Sequence, residues 1–204
     1  SIKAACESQF IDKVVVSTEN AEIERVAKEW GIDDVIHRSE SLSSNNATTN
    51  DVLIEVLDVL RERGESYGHI VLLQPTSPLR TAAHIKRAFR LMEDKNAIGA
   101  VSVCRTEHPV EWMGKIGEGD LMDSFIRETE LEKSSQDCAL SYQINGAIYI
   151  ASVDRFLDEK TVFLKSGMVA VVMDRASSVD IDDEHDLQVA AWLLSRREEN
   201  EADN

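Results

Sequence analysis

Cysteine, proline and positive charge are all scarce in this chain. Cys6, Cys104 and Cys138 are an odd number with no CxxC spacing. That excludes a disulfide framework or a thiolate zinc site and leaves buried free thiols as the expectation. Lys and Arg number 22 against 38 Asp and Glu, a net charge of −16. A general nucleic-acid binder needs a basic face for phosphates, so that class is excluded. A single nucleotide is not excluded, because one phosphate site needs only a few local cations or backbone N–H groups. No apolar run approaches membrane-spanning length and no secretory leader is recognisable, so a soluble cytoplasmic protein is expected. His69, His84, His108 and His185 fall at no metal-ligand spacing, and His37 adjoins a loop with no evident partner. No internal repeat or low-complexity linker interrupts the 204 residues, which fit a single domain able to bury a real core.

Two of the three prolines, Pro75 and Pro78, sit together in His69–Arg80, HIVLLQPTSPLR. Ile70, Val71, Leu72 and Leu73 read as a parallel strand buried on both faces. The prolines cannot extend a central strand, so the run stops at Gln74, and Arg80 and Thr81 open a helical run. Ligands of open α/β sheets bind at the carboxyl ends of strands. A rigid turn there would fix Gln74 and the hydroxyls of Thr76 and Ser77; ordinary turn chemistry explains the same residues equally well.

Around this stretch the chain alternates. Ser1–Phe10 looks helical, Lys13–Ser17 is a short strand, a helix runs to Trp30, and Asp34–His37 is a second strand. The order α-β-α-β reads as a parallel sheet with crossover helices. Arg38–Asn50 is a polar loop whose end offers Thr48, Thr49 and Asn50 as helix caps. Helices follow to about Arg63 and over His84–Asp94, and Ala100–Cys104 is another strand. Residues 107–143 carry Gly114, Gly117 and Gly119 among short alternating pieces and read as β-hairpin arms inserted into the domain. Asn145–Ala151, NGAIYIA, resumes the core, with Gly146 permitting close backbone approach. Met168–Met173 is the last strand, before a final amphipathic helix. In Val179-Asp180-Ile181-Asp182 the two carboxylates share a face if the segment is extended. Such a pair suits a hard dication held by carboxylates and substrate phosphates; the alternative is that Asp182 or Asp183 caps the last helix while Asp180 is solvated.

Taken in order, VVVST with an acidic residue after it, an Arg-led Ser/Asn/Thr loop, LLQPTSPLR, NGAIYI and SVDID resemble the cytidylyltransferases of acidic nine-carbon sugars. The likeness is strongest to the acylneuraminate cytidylyltransferases, or CMP-sialic acid synthetases, and spans about Ile2 to Leu194. It implies a three-layer, nucleotide-diphosphosugar-transferase-like (Rossmann-like) fold with a mostly parallel sheet and a β-arm dimerisation insertion at 107–143. It further implies transfer of CMP from CTP to a nine-carbon 2-keto-3-deoxy sugar acid, with release of pyrophosphate and with Mg²⁺ as cofactor. By the same resemblance, Arg38 and the backbone near Ala47 read cytosine and the Thr49 hydroxyl lies near the nucleotide. Gln74 faces the sugar, and Asn145 and Gly146 lie near the ribose and the sugar. Asp180 and Asp182 hold the metal, and Phe163 lines the acyl pocket. The partners implied are CTP, the sugar acid and a second copy in a homodimer.

Four departures qualify this. The family's opening strand and its phosphate-gripping loop with Arg, Gly-Ser and Lys have no counterpart here, so the chain as given is expected to bind the β- and γ-phosphates poorly. Ser135 and Gln143 stand where relatives often carry Arg, which leaves sialic, legionaminic and pseudaminic acids all open as acceptors. Glu19 replaces the usual Asp. The reading of a different class is a non-catalytic dimeric α/β scaffold.

Overall fold

The computed structural model describes residues 1–39, 48–120, 122, 125, 134 and 136–202. Helices α1 (Ile2–Cys6), α2 (Ala21–Glu29), α3 (Thr49–Glu62), α4 (Ala82–Lys95), α5 (Val153–Glu159) and α6 (Glu184–Ala202) alternate with strands β1 (Val16–Ser17), β2 (Val35–Ile36), β3 (His69–Leu72), β4 (Gly99–Arg105), β5 (Tyr142–Ser152) and β6 (Met168–Met173). Local chemistry sets these limits. The Asn20 side chain accepts from the N–H groups of Glu22 and Ile23 and starts α2. Thr48 and Asp51 form a reciprocal capping box at the head of α3. Among the described residues no helix is long and apolar enough to cross a membrane.

The main sheet has the order β3-β5-β4-β6, with β4 and β6 parallel and β5 antiparallel to both of its neighbours. Three of its four strands therefore run the same way, and the parallel-rich α/β class is as expected. The reversal of β5 was not. It follows from the connection: the chain leaves β4 at Arg105 and returns to pair Tyr142 with that same residue. A direct return of this kind makes an antiparallel neighbour, whereas a crossover helix makes a parallel one. β1 and β2 form a separate parallel pair with no ladder to the main sheet among the described residues. An ion-pair cluster helps to fasten it. Lys13 Nζ, ahead of β1, meets Asp34 at 2.7 Å, just before β2, and Glu65 at 2.6 Å, in the loop before β3.

The sheet is the middle of three layers, which the alternation along β5 makes plain. Ile148 and Ile150, with Ala100, Val171 and Met173, face Ile85, Ala88 and Met92 of α4 and Ala4 of α1. Tyr149 and Ala151, with Val101, face Leu53 and Leu57 of α3 and Phe156 of α5. Each fully buried Ile or Phe here contributes about 1.5–3 kcal/mol relative to exposure.

Two expectations are corrected. In the insertion at 107–143 the described residues form single 3₁₀ turns at Val110–Trp112 and Glu118–Asp120, and strand begins only at Tyr142. The alternating WMGKI piece is no strand, and its Trp112, Met113 and Ile116 are exposed among the described residues. Of the cysteines, only Cys104 is buried; Cys138 is half-buried and Cys6 is exposed on a helix too short to cover it.

Candidate active site

Gly146, near the start of β5, is the point on which the sequence-predicted residues converge. Its φ is +72°, and a Cβ added there would lie 2.8 Å from Gln74 Oε1, 2.9 Å from Ser77 Oγ and 3.0 Å from Asp180 Oδ2. Three segments deliver these groups. β3 ends at Leu72, and the turn that follows closes with Ser77 N–H donating to the Gln74 carbonyl at 3.3 Å. Pro75 and Thr76 stay at the surface while Ser77 is fully buried. The Ile181 N–H donates to the Thr76 carbonyl at 2.8 Å, which latches the SVDID segment onto the turn. Ser77 Oγ donates to the Asn145 carbonyl at 3.1 Å and lies 3.4 Å from Asp180 Oδ1.

Asn145 supports this junction from beneath. Its Oδ1 accepts from Ser102 Oγ at 2.6 Å, and its Nδ2 donates to Ser178 Oγ at 2.8 Å. Ser178 Oγ in turn donates to the Asp174 carbonyl at 2.6 Å. At 3% exposure, Asn145 spends its amide on protein partners, as a buried amide must. Gly146 is buried as well, and the space its side chain would take is filled by Gln74, Ser77 and Asp180.

Beside Asp180 stands Tyr149, whose phenol is pushed up first by burial and then by the Asp180 carboxylate. Its ring meets Phe163 edge-on at 5.6 Å, and Phe163 is 48% exposed. Tyr149 and Phe163 thus form an aromatic pair with an exposed outer end. Asn50 Oδ1 accepts from the Val162 N–H at 3.3 Å, which draws the head of α3 towards that end. Thr49, the first residue of α3, is exposed.

Arg38 follows β2 and leans on the end of β1. Its Nη2 donates to the Ser17 carbonyl at 3.1 Å, and its Nη1 is 3.5 Å from Glu19. Among the described residues no hydrogen bond joins it to the Gln74–Gly146–Asp180 group. Ala47 lies outside the described residues. At the other end of the site, Asp183 caps α6, accepting from the N–H groups of His185 at 2.8 Å and Asp186 at 3.0 Å. Asp182 is exposed, and its backbone N–H donates to Asp186 at 3.1 Å. Asp180 therefore is not a solvated neighbour of a cap; it faces Ser77 and Gly146. Among the described residues no three His, Cys, Asp or Glu side chains gather as a metal cluster. An all-oxygen donor pair, one half-buried and one exposed, still fits a hard dication that keeps several waters and takes its other ligands from phosphates.

Sequence reasoning missed Tyr149, whose signal was a single polar tip in an otherwise apolar strand. It also missed Ser102 and Ser178, which carried no signal, and it read Arg80 as a helix opener although that side chain is 3% exposed and turned inward.

Residues 1–190 match the sequence model of the family described as Cytidylyltransferase. The chain belongs to the cytidylyltransferase family. An N-acylneuraminate cytidylyltransferase of Escherichia coli is 28% identical over 204 residues, covering 100% of this chain and 47% of the relative. A pseudaminic acid cytidylyltransferase of Campylobacter jejuni is 26% identical over 200 residues, covering 98% of this chain and 85% of the relative. The chain thus spans about half the length of the first of these and most of the second. A solved structure of CMP:2-keto-3-deoxy-manno-octonic acid synthetase complexed with CTP superposes with a TM-score of 0.63 at 14% identity, over 96% of this chain and 86% of that one. That likeness establishes the nucleotidyltransferase fold.

Proposed function

We propose that this cytidylyltransferase-family chain transfers CMP from CTP to the anomeric hydroxyl of a nine-carbon 2-keto-3-deoxy sugar acid. The observation that carries the reading is the convergence of Gln74, Ser77 and Asp180 on Gly146 at strand ends. In the reaction the sugar oxygen attacks the α-phosphorus. The new O–P bond forms as the hydroxyl gives up its proton to solvent, the bond from the α-phosphorus to the bridging oxygen breaks, and pyrophosphate departs with that electron pair. No protein nucleophile is required; catalysis rests on positioning and charge stabilisation.

Gln74 presents an amide to the sugar acid. Asn145 and Gly146 lie near the ribose and the sugar, where the missing side chain of Gly146 lets Gln74 and Asp180 close in. Phe163 and Tyr149 give the acyl substituent an apolar wall. Arg38 offers a planar fork to the carbonyl and ring-nitrogen acceptors of cytosine, and the resemblance assigns Ala47 and Thr49 to the nucleotide as well. Asp180 and Asp182 would hold Mg²⁺, which when bound offsets phosphate charge. The exposed Val110, Trp112, Met113 and Ile116 in the insertion offer apolar surface to a second copy in a homodimer. A cytoplasmic setting follows from CTP as substrate.

The acceptor is proposed as an acylneuraminate. Pseudaminic and legionaminic acids are the alternatives, and the pseudaminic relative matches over nearly the whole of this chain. The test is pyrophosphate release by the natural gene product with CTP, Mg²⁺ and a panel of nonulosonic acids. Release that depends on one acid confirms transfer and names the acceptor. CTP binding without release for any acid rejects this acceptor class, and absence of both leaves the non-catalytic scaffold.

A further inference from the structure

Arg80 is a buried cation without a counter-charge. It is 3% exposed, no carboxylate pairs with it among the described residues, and burial lowers its pKa to about 10, so it stays charged at neutral pH. Its Nε donates to the Ala147 carbonyl at 2.7 Å, and its Nη2 donates to the Gln74 carbonyl at 2.8 Å and to Ser1 Oγ at 2.9 Å. Ser1 Oγ donates in turn to the Gln74 carbonyl at 3.2 Å. Nη1 is buried with no hydrogen-bond partner among the described residues. Desolvating an ion this way is expensive, and neutral carbonyls recover only part of the cost.

The strand register explains what the fork is for. The β3–β5 ladder runs from His69↔Ser152 to Leu72↔Tyr149 and stops there. Continued by two residues, it would set Gln74 opposite Ala147, the neighbour of Gly146. The guanidinium occupies that position instead and bridges the carbonyls of both residues. A two-pronged planar donor spaces two acceptors on separate elements in a way a single ammonium cannot.

We propose that Arg80 is a positioning residue of the candidate active site. It replaces the missing ladder step, fixes the gap between the Gln74 turn and β5, and so holds the Gln74 amide over Gly146. The role for the sugar acid rests on the transfer reading above; the clamp itself does not.

The test uses the natural gene product with Arg80→Lys and Arg80→Met, read by amide hydrogen exchange and by steady-state kinetics. In R80K, exchange in peptides covering 74–79 and 145–148 should rise by about tenfold or more while β4 and β6 keep their protection. Unchanged exchange in those peptides, or a uniform rise across the molecule, overturns the clamp whatever the activity. kcat/KM for the sugar acid should fall by about tenfold, with KM for CTP held within about twofold. In a Gln74→Ala background the R80K loss should shrink below about twofold, since the two act as a unit. The same loss in both backgrounds overturns action through Gln74. If R80M does not fold, R80K decides. If wild type turns over no sugar acid, the transfer reading fails and the exchange data alone judge the clamp.

Discussion

A methyl group on Gly146 would arrive 2.8 Å from the Gln74 amide oxygen, 2.9 Å from the Ser77 hydroxyl and 3.0 Å from an Asp180 carboxylate oxygen, on backbone at φ +72°. Left-handed backbone costs a residue with a Cβ about 1–2 kcal/mol, and the three polar groups must also retreat. Gly146→Ala should therefore lower the unfolding free energy by about that scale, seen as a lower urea midpoint, and cut kcat/KM by more than about tenfold. Equilibrium denaturation and initial-rate kinetics on the same preparation check it; wild-type kinetics in a folded G146A protein would show that the convergence is incidental. At this scale the sequence was legible where chemistry and turn signals coincide. Gln74 before two prolines and Gly146 after Asn145 were both visible. Asn145 itself was expected at the ligand, but nothing in the sequence reveals that Ser102 and Ser178, from distant segments, take up its amide. Arg80 was illegible for the same reason: its acceptors are main-chain carbonyls, which every residue has.

Among the elements, the short pair β1–β2 depends on side-chain contacts for its place, and Lys13 is the contact to break. Asp34 and Glu65 hold their carboxyls below the usual range because each first takes a hydrogen bond from Lys13, and the Lys13 ammonium is raised in return, first by Asp34. The signs follow. The depressed carboxyls contribute stability above their unfolded pKa of about 4, and it is lost as pH falls through their lowered values. The raised ammonium contributes below its unfolded pKa of about 10.4, and its share is lost as pH climbs past that into the raised range. Lys13→Met should thus destabilise by about 1 kcal/mol or less at pH 7, given partial exposure. The difference from wild type should narrow in strong acid and again in strong base. Urea titrations across pH test this, and a pH-independent difference would mean that Lys13 contributes packing rather than charge. Elements were legible from apolar periodicity, which located every strand of the main sheet. Strand direction was not, because periodicity is the same read either way; β5 gave no sign of its reversal. The insertion misled for a related reason. Alternation in WMGKI satisfies the strand pattern locally, but no neighbouring sheet edge takes it up among the described residues.

At the scale of the whole molecule, the net charge of −16 sets a problem for the proposed reaction, because both the nucleotide and the sugar acid are anions. Among the described residues, Arg38 is shared with Glu19 and Arg80 is buried. At long range both substrates therefore approach a repelling surface, while close contacts remain attractive. The two regimes separate by distance. At about 10 mM ionic strength the screening length is about 30 Å, and the field of the entire surface is felt; at about 150 mM it is about 8 Å, and only neighbouring charges matter. Adding salt over that range should remove repulsion before it weakens contacts, so KM for CTP at fixed free Mg²⁺ should fall, by about twofold to fivefold. Towards about 1 M salt the screening length drops to about 3 Å and the contacts themselves weaken, so KM should turn upward. A nucleotide site that works by long-range attraction gives the opposite low-salt limb. A KM that rises steadily from the lowest salt would mean that the acidity lies away from the approach path and that cations beyond Arg38 govern capture.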